Sequence, residues 1–85
     1  MKAINDRIIE ALENSDMGAL RDMEVESRLR SEKYWEAVRT VTACYIADEK
    51  DNGRKNVKHL TDMFLRVERT FIATKNNSRG NTTNN

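Results

Sequence analysis

The stretch "VKHLTDMFLRVERTFI", residues 57–72, decides the fold that this sequence predicts. Its apolar residues recur at spacings of three and four, and they are Val57, Leu60, Phe64, Val67 and Phe71. Because one turn of an α-helix takes 3.6 residues, such a row lies along one side of a helix. Most positions between are charged or polar, as on the water-facing side of an amphipathic helix. The stretch therefore predicts an amphipathic helix, at about residues 54–74.

A matching helix is predicted just before it, at about residues 31–49. One apolar row consists of Tyr34, Val38, Val41 and Tyr45, and the adjoining row of Trp35, Thr42 and Ile46. Ser31 is placed to act as its N-cap, because a serine hydroxyl accepts from free N–H groups of a first helical turn. Asp51-Asn52-Gly53 is a turn signature, since Asn and Gly tolerate positive φ. The two helices should form an antiparallel hairpin.

Two earlier helices are predicted, at about residues 3–14 and 16–29. The first has one apolar side, made of Ile4, Ile8, Ala11 and Leu12. The second is less regular, because Val25 and Leu29 fall outside the row of Met17 and Leu20. The chain has no proline and only three glycines, and few breakers of this kind favour helices throughout. The predicted fold class is all-α, a small bundle of three or four helices centred on the hairpin.

The segment "KNNSRGNTTNN", residues 75–85, contains no apolar residue. Without apolar surface to bury, a segment cannot offset the entropy lost on ordering. The predicted organisation is one helical domain over residues 1–75 and a disordered tail over residues 76–85. The N-terminal residues have no long apolar run, and Cys44 is the only cysteine. We therefore expect a cytoplasmic protein without a disulfide and without contact to a membrane.

Catalysis is not expected from this set of residues. His59 is the only histidine, and one histidine with one cysteine cannot make a common zinc site. Gly18, Gly53 and Gly80 stand alone, so no glycine-rich phosphate loop is present. The carboxylates form no recognisable acid and base pair with a pocket around it. The sequence therefore predicts a non-enzymatic protein with no cofactor, no bound metal and no small-molecule substrate.

The favoured hypothesis for function is association with another protein. A chain of 85 residues gains little stability from its own core, and the hairpin's apolar rows look wider than one hairpin can cover. The first helix, a second copy of the chain or another protein could close that surface. We expect an adaptor or regulator that acts through protein contacts, with a homodimer as one form. The candidate interface residues are Tyr34, Trp35, Ile46, Met63 and Ile72.

The alternative hypothesis is an accessory protein of phage, plasmid or bacterial type that binds nucleic acid. Residues 1–50 carry eight Lys and Arg against eleven Asp and Glu, a net of −3, whereas residues 51–85 carry seven against three, a net of +4. Cations on one side of the last helix could neutralise phosphates. The candidate residues are Arg54, Lys55, Lys58, Arg66 and Arg69. Asp62 interrupts this row and Glu68 adjoins it, which favours the protein-contact hypothesis.

Overall fold

The computed structural model of the chain describes the backbone of residues 3–83 and the side chains of residues 3–77. It has four helices over that range: α1 (Ile4–Glu13), α2 (Met17–Ser27), α3 (Ser31–Asp51) and α4 (Lys58–Thr83). No strand occurs among the described residues. The predicted fold class, a small all-α bundle, is confirmed. Within residues 3–83, none of the helices has the length and apolar character needed to cross a bilayer.

The turn from α1 to α2 both ends one helix and starts the next. The backbone N–H groups of Ser15 and Asp16 donate to the carbonyls of Leu12 and Ala11, at 3.1 and 2.8 Å. These bonds form a Schellman motif, with Ser15 in the left-handed region at a φ of 51°. The Asp16 side chain then caps α2 by accepting from the N–H of Ala19 at 3.1 Å. α1 and α2 are thus joined by a short, hydrogen-bonded turn.

A second Schellman motif ends α3 and turns the chain toward α4. Gly53 and Arg54 donate their N–H groups to the carbonyls of Lys50 and Glu49, both at 3.0 Å. Gly53 has a φ of 89°, and nothing lies within 4 Å of the place where a Cβ would stand. The backbone conformation therefore favours glycine here, rather than a lack of space. The turn predicted around Asn52 and Gly53 is present.

The helix ends differ from the predictions in two places. Ser31 is not the N-cap of α3: Arg30 holds that position without a side-chain cap, and the Ser31 hydroxyl donates to the Glu24 carboxylate. The last helix begins at Lys58 instead of near residue 54, because Arg54 is occupied in the turn. The Ser31 hydroxyl thus bonds to the Glu24 carboxylate of α2 instead of capping its own helix.

The far end of α4 also differs from the prediction. The sequence predicts that the helix ends near residue 74, whereas α4 continues to Thr83. The division into a domain over residues 1–75 and a disordered tail over residues 76–85 stays a prediction. No proline stops the helix, and extending a helix that packing has already nucleated costs little per residue. Asn76 and Asn77 are exposed, and residues 84 and 85 lie outside the described range. That residues 76–85 contribute nothing to folding stays a prediction.

The core lies where α1 and α2 pack on one side of the α3–α4 hairpin. Its buried apolar residues are Ile8, Ala11, Leu12, Met17, Leu20, Met23, Tyr34, Trp35, Val38, Val57, Leu60, Met63 and Val67. Thr42 is buried among them, and its hydroxyl donates to the Val38 carbonyl at 2.7 Å. Of the three ways to close the hairpin's apolar surface, the structure supports the first for this side, since α1 contacts both α3 and α4.

Met63 and Phe64 hold the reverse of their predicted places. The sequence predicts Phe64 in the buried stripe and Met63 on a partner surface, but Met63 is only 1% exposed and Phe64 is half-buried. Residues 57, 60, 63 and 67 also follow helical spacings of three and four, so periodicity alone cannot choose between the neighbours. The position of the covering helices decides it. Phe64 consequently lies at the edge of the hairpin's uncovered side.

Candidate interaction surfaces

The five residues predicted to form a partner interface separate into two groups. Tyr34, Trp35 and Met63 are buried, at 3%, 1% and 1% exposed. They cannot contact a partner unless the bundle opens, so their assignment to a surface is wrong for the folded chain. Ile46 is half-buried and Ile72 is 46% exposed, so both remain at the surface.

The two buried aromatic residues tie α2 to α3. The Tyr34 hydroxyl donates to the Leu20 carbonyl at 2.5 Å, and the Trp35 Nε1 donates to the Glu24 carboxylate at 3.0 Å. Their rings meet edge to face, with centroids 5.1 Å apart. Burial raises the pKa of Tyr34 to about 12, because the phenolate would lose its water. These side chains therefore hold the fold together.

The side of the hairpin that α1 and α2 leave open carries a group of apolar residues, here termed the apolar face. By helical spacing from Arg39 and Glu68 we assign to it Ala43 and Ile46 on α3 and Phe64, Leu65, Phe71 and Ile72 on α4. Of these, Ile46 and Phe71 are half-buried and also pack against the core. Leu65 is 48% and Ile72 is 46% exposed. Exposed apolar side chains grouped in this way mark sites of interaction more often than single ones do.

One ion pair crosses the apolar face and fixes α3 to α4 there. The Arg39 Nε lies 2.5 Å from a carboxylate oxygen of Glu68. The Arg39 guanidinium and the Lys75 ammonium also lie 5.8 and 5.5 Å from the centre of the Phe71 ring. Such cation–π contacts attract a cation to the face of an aromatic ring, and they are weak at exposed sites. The apolar face thus has two cations, Arg39 and Lys75, and one anion, Glu68, beside its hydrophobic residues.

Arg54, predicted to belong to a nucleic-acid surface, is instead half-buried and held by ion pairs within the chain. Its guanidinium contacts the carboxylates of Glu13 and Glu49, each at 2.8 Å. Glu13 also accepts from the Tyr45 hydroxyl and lies 2.9 Å from the Nε2 of His59. This group, the Glu13 cluster, joins the end of α1 to α3, to the following turn and to the start of α4.

The Glu13 cluster keeps its central carboxylate ionised. The hydrogen bond from Arg54 is the largest cause, and with those from Tyr45 and His59 it lowers the pKa of Glu13 to about 2, against desolvation. The same carboxylate raises the pKa of Tyr45. Sequence reasoning missed the cluster, because its members are far apart in the chain. Only the fold brings them within hydrogen-bonding distance.

The other basic residues predicted for the nucleic-acid surface differ in whether a carboxylate of the chain pairs with them. Lys58 pairs with Asp62 at 3.1 Å on the surface of α4. Lys55, Arg66 and Arg69 are exposed, and none of them has an ion pair with a described residue. The row drawn from helical spacing is therefore reduced to these three side chains.

Two of these cations line a depression between α2 and α4, here termed the arginine depression. Its residues are Met17 and Arg21 from α2 and Arg66, Arg69 and Thr70 from α4, around a volume of about 270 Å³. No carboxylate is among its lining residues. The sequence did not identify Arg21 as a site residue, because the spacing of residues along α2 does not show which of them lie next to α4.

A second depression, of about 290 Å³, lies between α1 and α2 and has the opposite character. Its acidic lining residues are Glu10, Asp16, Asp22 and Glu26. Arg7 also lines it and pairs with Glu26 at 3.0 Å. Within the described part of the chain, no group of three or more His, Cys, Asp or Glu residues is arranged to hold a metal ion.

Comparison with models of known protein families, with curated proteins and with solved structures finds no match to this chain.

Proposed function

We propose that this chain is a non-enzymatic adaptor or regulator of the cytoplasm, which acts through protein contacts at the apolar face and associates there with a second copy of itself. The observation that carries the proposal is the exposure of Leu65 and Ile72 beside half-buried Ile46, Phe64 and Phe71. A cytoplasmic location is supported by the lone cysteine, Cys44, which cannot form an internal disulfide.

Burial of this face would be favourable. Removing apolar surface from water contributes roughly 25 cal/mol per Å². Leu65 and Ile72 are 48% and 46% exposed, so about half of the surface of each remains to be buried. The opposite side of the hairpin is already closed by α1 and α2. Association therefore adds apolar burial without disturbing the existing core.

The charges on the face favour a second copy as the partner. Arg39 and Glu68 stand side by side across the hairpin. In a dimer with twofold symmetry the same patch meets itself in reverse, so that each cation can approach the other copy's anion. The Arg39 and Glu68 charges are thus complementary to those of a second copy, while Lys75 stands at the Phe71 end of the face.

The test is a double substitution on the face, Leu65→Gln with Ile72→Gln. Sedimentation at micromolar concentration should show a dimer for the wild type and a monomer for this variant, and only the wild type should melt at a temperature that rises with concentration. The matched control is Val25→Gln with Leu29→Gln, which changes two residues that are 80% and 55% exposed on and just after α2. A wild type that stays monomeric, or a control that dissociates equally, contradicts the proposal.

A second candidate function, nucleic-acid binding through the last helix, is supported by one observation. Arg66 and Arg69 are exposed cations of α4 that no described carboxylate neutralises. A labelled duplex and a labelled single strand, each titrated with the wild type at several salt concentrations, test this function. Phosphate contacts must weaken as salt rises, since binding releases counterions.

A further inference from the structure

We infer that the arginine depression binds phosphodiester groups of a nucleic-acid strand, and that Arg21 of α2 contributes to this site together with Arg66 and Arg69 of α4. The inference rests on the second candidate function. In this site the cations come from two helices, whereas the sequence predicted a row of cations along the last helix alone.

The first argument is that these guanidiniums lack carboxylate partners. Elsewhere in the bundle Arg7 pairs with Glu26, Arg39 pairs with Glu68, and Arg54 contacts two carboxylates. Arg28 and Arg30 also have no ion pair with a described residue, but they do not line this depression. No such ion pair with a described residue exists for the three arginines of the depression. Three like charges around one depression repel each other, and an anion between them would offset that repulsion.

The second argument concerns the chemistry of the donors. A guanidinium presents its N–H groups in a planar fork that matches the oxygens of a phosphate. The Thr70 hydroxyl already donates to the Arg66 carbonyl at 2.9 Å, and Met17 is a buried apolar lining residue. The hydrogen bonds available to a ligand therefore come from the three guanidiniums.

The third argument selects a nucleic-acid strand over a small phosphate compound. Arg21, Arg66 and Arg69 are all exposed, and a single ion pair at an exposed site contributes little to binding because water and salt screen it. A single phosphate group would thus be held weakly. A strand presents phosphates at regular intervals, so several guanidiniums can be engaged at once and each contact releases counterions.

The site and the apolar face adjoin each other on α4. Arg66 is rotated by about 100° around the helix from the neighbouring Leu65. Arg69 follows Leu65 by four residues and precedes Ile72 by three, so it lies beside both on the helix surface. A dimer formed through the apolar face would therefore leave Arg66 outside the interface and place Arg69 at its edge.

The test is the triple variant Arg21→Gln, Arg66→Gln and Arg69→Gln, with binding followed by fluorescence anisotropy of a labelled 20-nucleotide single strand and a labelled 20-base-pair duplex. We expect the affinity for both to fall more than tenfold at low salt. For the duplex, the dependence of log K on log salt should also shrink by up to about 0.9 per lost contact. Circular dichroism should be unchanged, because these exposed side chains have no described ion pair.

The matched control is Arg30→Gln, Lys33→Gln and Lys50→Gln, which removes the same charge at exposed positions outside the depression. It should lose much less affinity than the depression variant. If the wild type binds neither probe at low salt, both the second candidate function and this site are wrong. If both triple variants lose affinity equally, the chain binds nucleic acid through general charge, and the site alone is overturned.

Two further measurements test the parts of the inference. The single variant Arg21→Gln should weaken binding measurably; if only the α4 substitutions matter, the two-helix site is overturned while binding by the last helix stands. Added orthophosphate should displace the strand no better than chloride at the same ionic strength. Specific displacement by orthophosphate would show a site for a free phosphate instead of a strand.

Discussion

Both sides of the α3–α4 hairpin carry apolar side chains, but other helices cover only one of these sides. On one side α1 and α2 cover it, and polar contacts fix them there: the Tyr34 hydroxyl and the Trp35 ring nitrogen bind α2, and Glu13 binds residues of α3 and α4. On the other side no described helix covers Leu65 and Ile72. Burial of apolar area is not directional, whereas these hydrogen bonds select which side is covered.

The largest expected effect comes from comparing two leucines of α4. Leu60 is fully buried, and Leu65 is 48% exposed. Leu60→Ala should lower the free energy of unfolding by about 2–5 kcal/mol, because it removes buried methyl groups and leaves a cavity. Leu65→Ala should change it by less than about 1 kcal/mol in dilute solution, where no partner covers the side chain. Urea denaturation of both variants measures the difference.

This pair tests which side of the hairpin is the core. Phe64→Ala should resemble Leu65→Ala more than Leu60→Ala, since the ring is half-buried at the edge. If Leu65→Ala were as costly as Leu60→Ala in dilute solution, the apolar face would be covered within a single chain. At high concentration the loss for Leu65→Ala should grow, because the dimer would then be the folded species.

Much of the covered side could be predicted from the sequence. The period of the apolar residues predicts α3 and α4 and their pairing, and Gly53 marks the turn between them. Periodicity could not choose between Met63 and Phe64, because adjacent residues both satisfy spacings of three and four. That choice depends on where α1 lies, which is a tertiary property.

The candidate surfaces were less predictable, for a related reason. Arg54 looked like one more cation of the last helix, but it is held by Glu13, a residue of the first helix. Arg21 looked like one more charge of a polar helix, but it lines the same depression as Arg66 and Arg69 of α4. The sequence of one helix shows which of its own charges share a side. It does not show which charges of other helices lie next to them in the folded chain.

The polar contacts of the covered side provide the next prediction. Glu13→Gln should lower the free energy of unfolding by about 1–3 kcal/mol at neutral pH, since hydrogen bonds to a charged group contribute that much. The amide keeps the size of the side chain but removes the Glu13 charge, so that Glu49 is the remaining carboxylate beside Arg54. Glu36→Gln, at an exposed position of α3, is the matched control and should have almost no effect.

The same cluster predicts a dependence on pH. The pKa of Glu13 is about 2 in the folded chain, below its usual value of 4.5. A lowered pKa in the folded state means that the stabilisation is complete above the unfolded pKa and is lost as the pH falls from about 4.5 toward 2. The difference between wild type and Glu13→Gln should therefore shrink over that range. A difference that stays constant on acidification would show that the variant disturbs packing instead of charge.

The smallest expected effect concerns residues that belong to neither side of the hairpin. Deleting residues 76–85 removes no apolar side chain, and Asn76 and Asn77 are exposed. The truncated chain should melt within about 2 °C of the full chain, since ends without buried contacts contribute little to stability. Its helical circular dichroism should fall only by the share of the removed turns. Because the deletion retains Ile72 and Lys75, sedimentation should still show the dimer.

A clear drop in melting temperature would mean that the end of α4 is docked in the folded species. A lost dimer with an unchanged melt of the monomer would extend the interface beyond the apolar face, along the last turns of the helix.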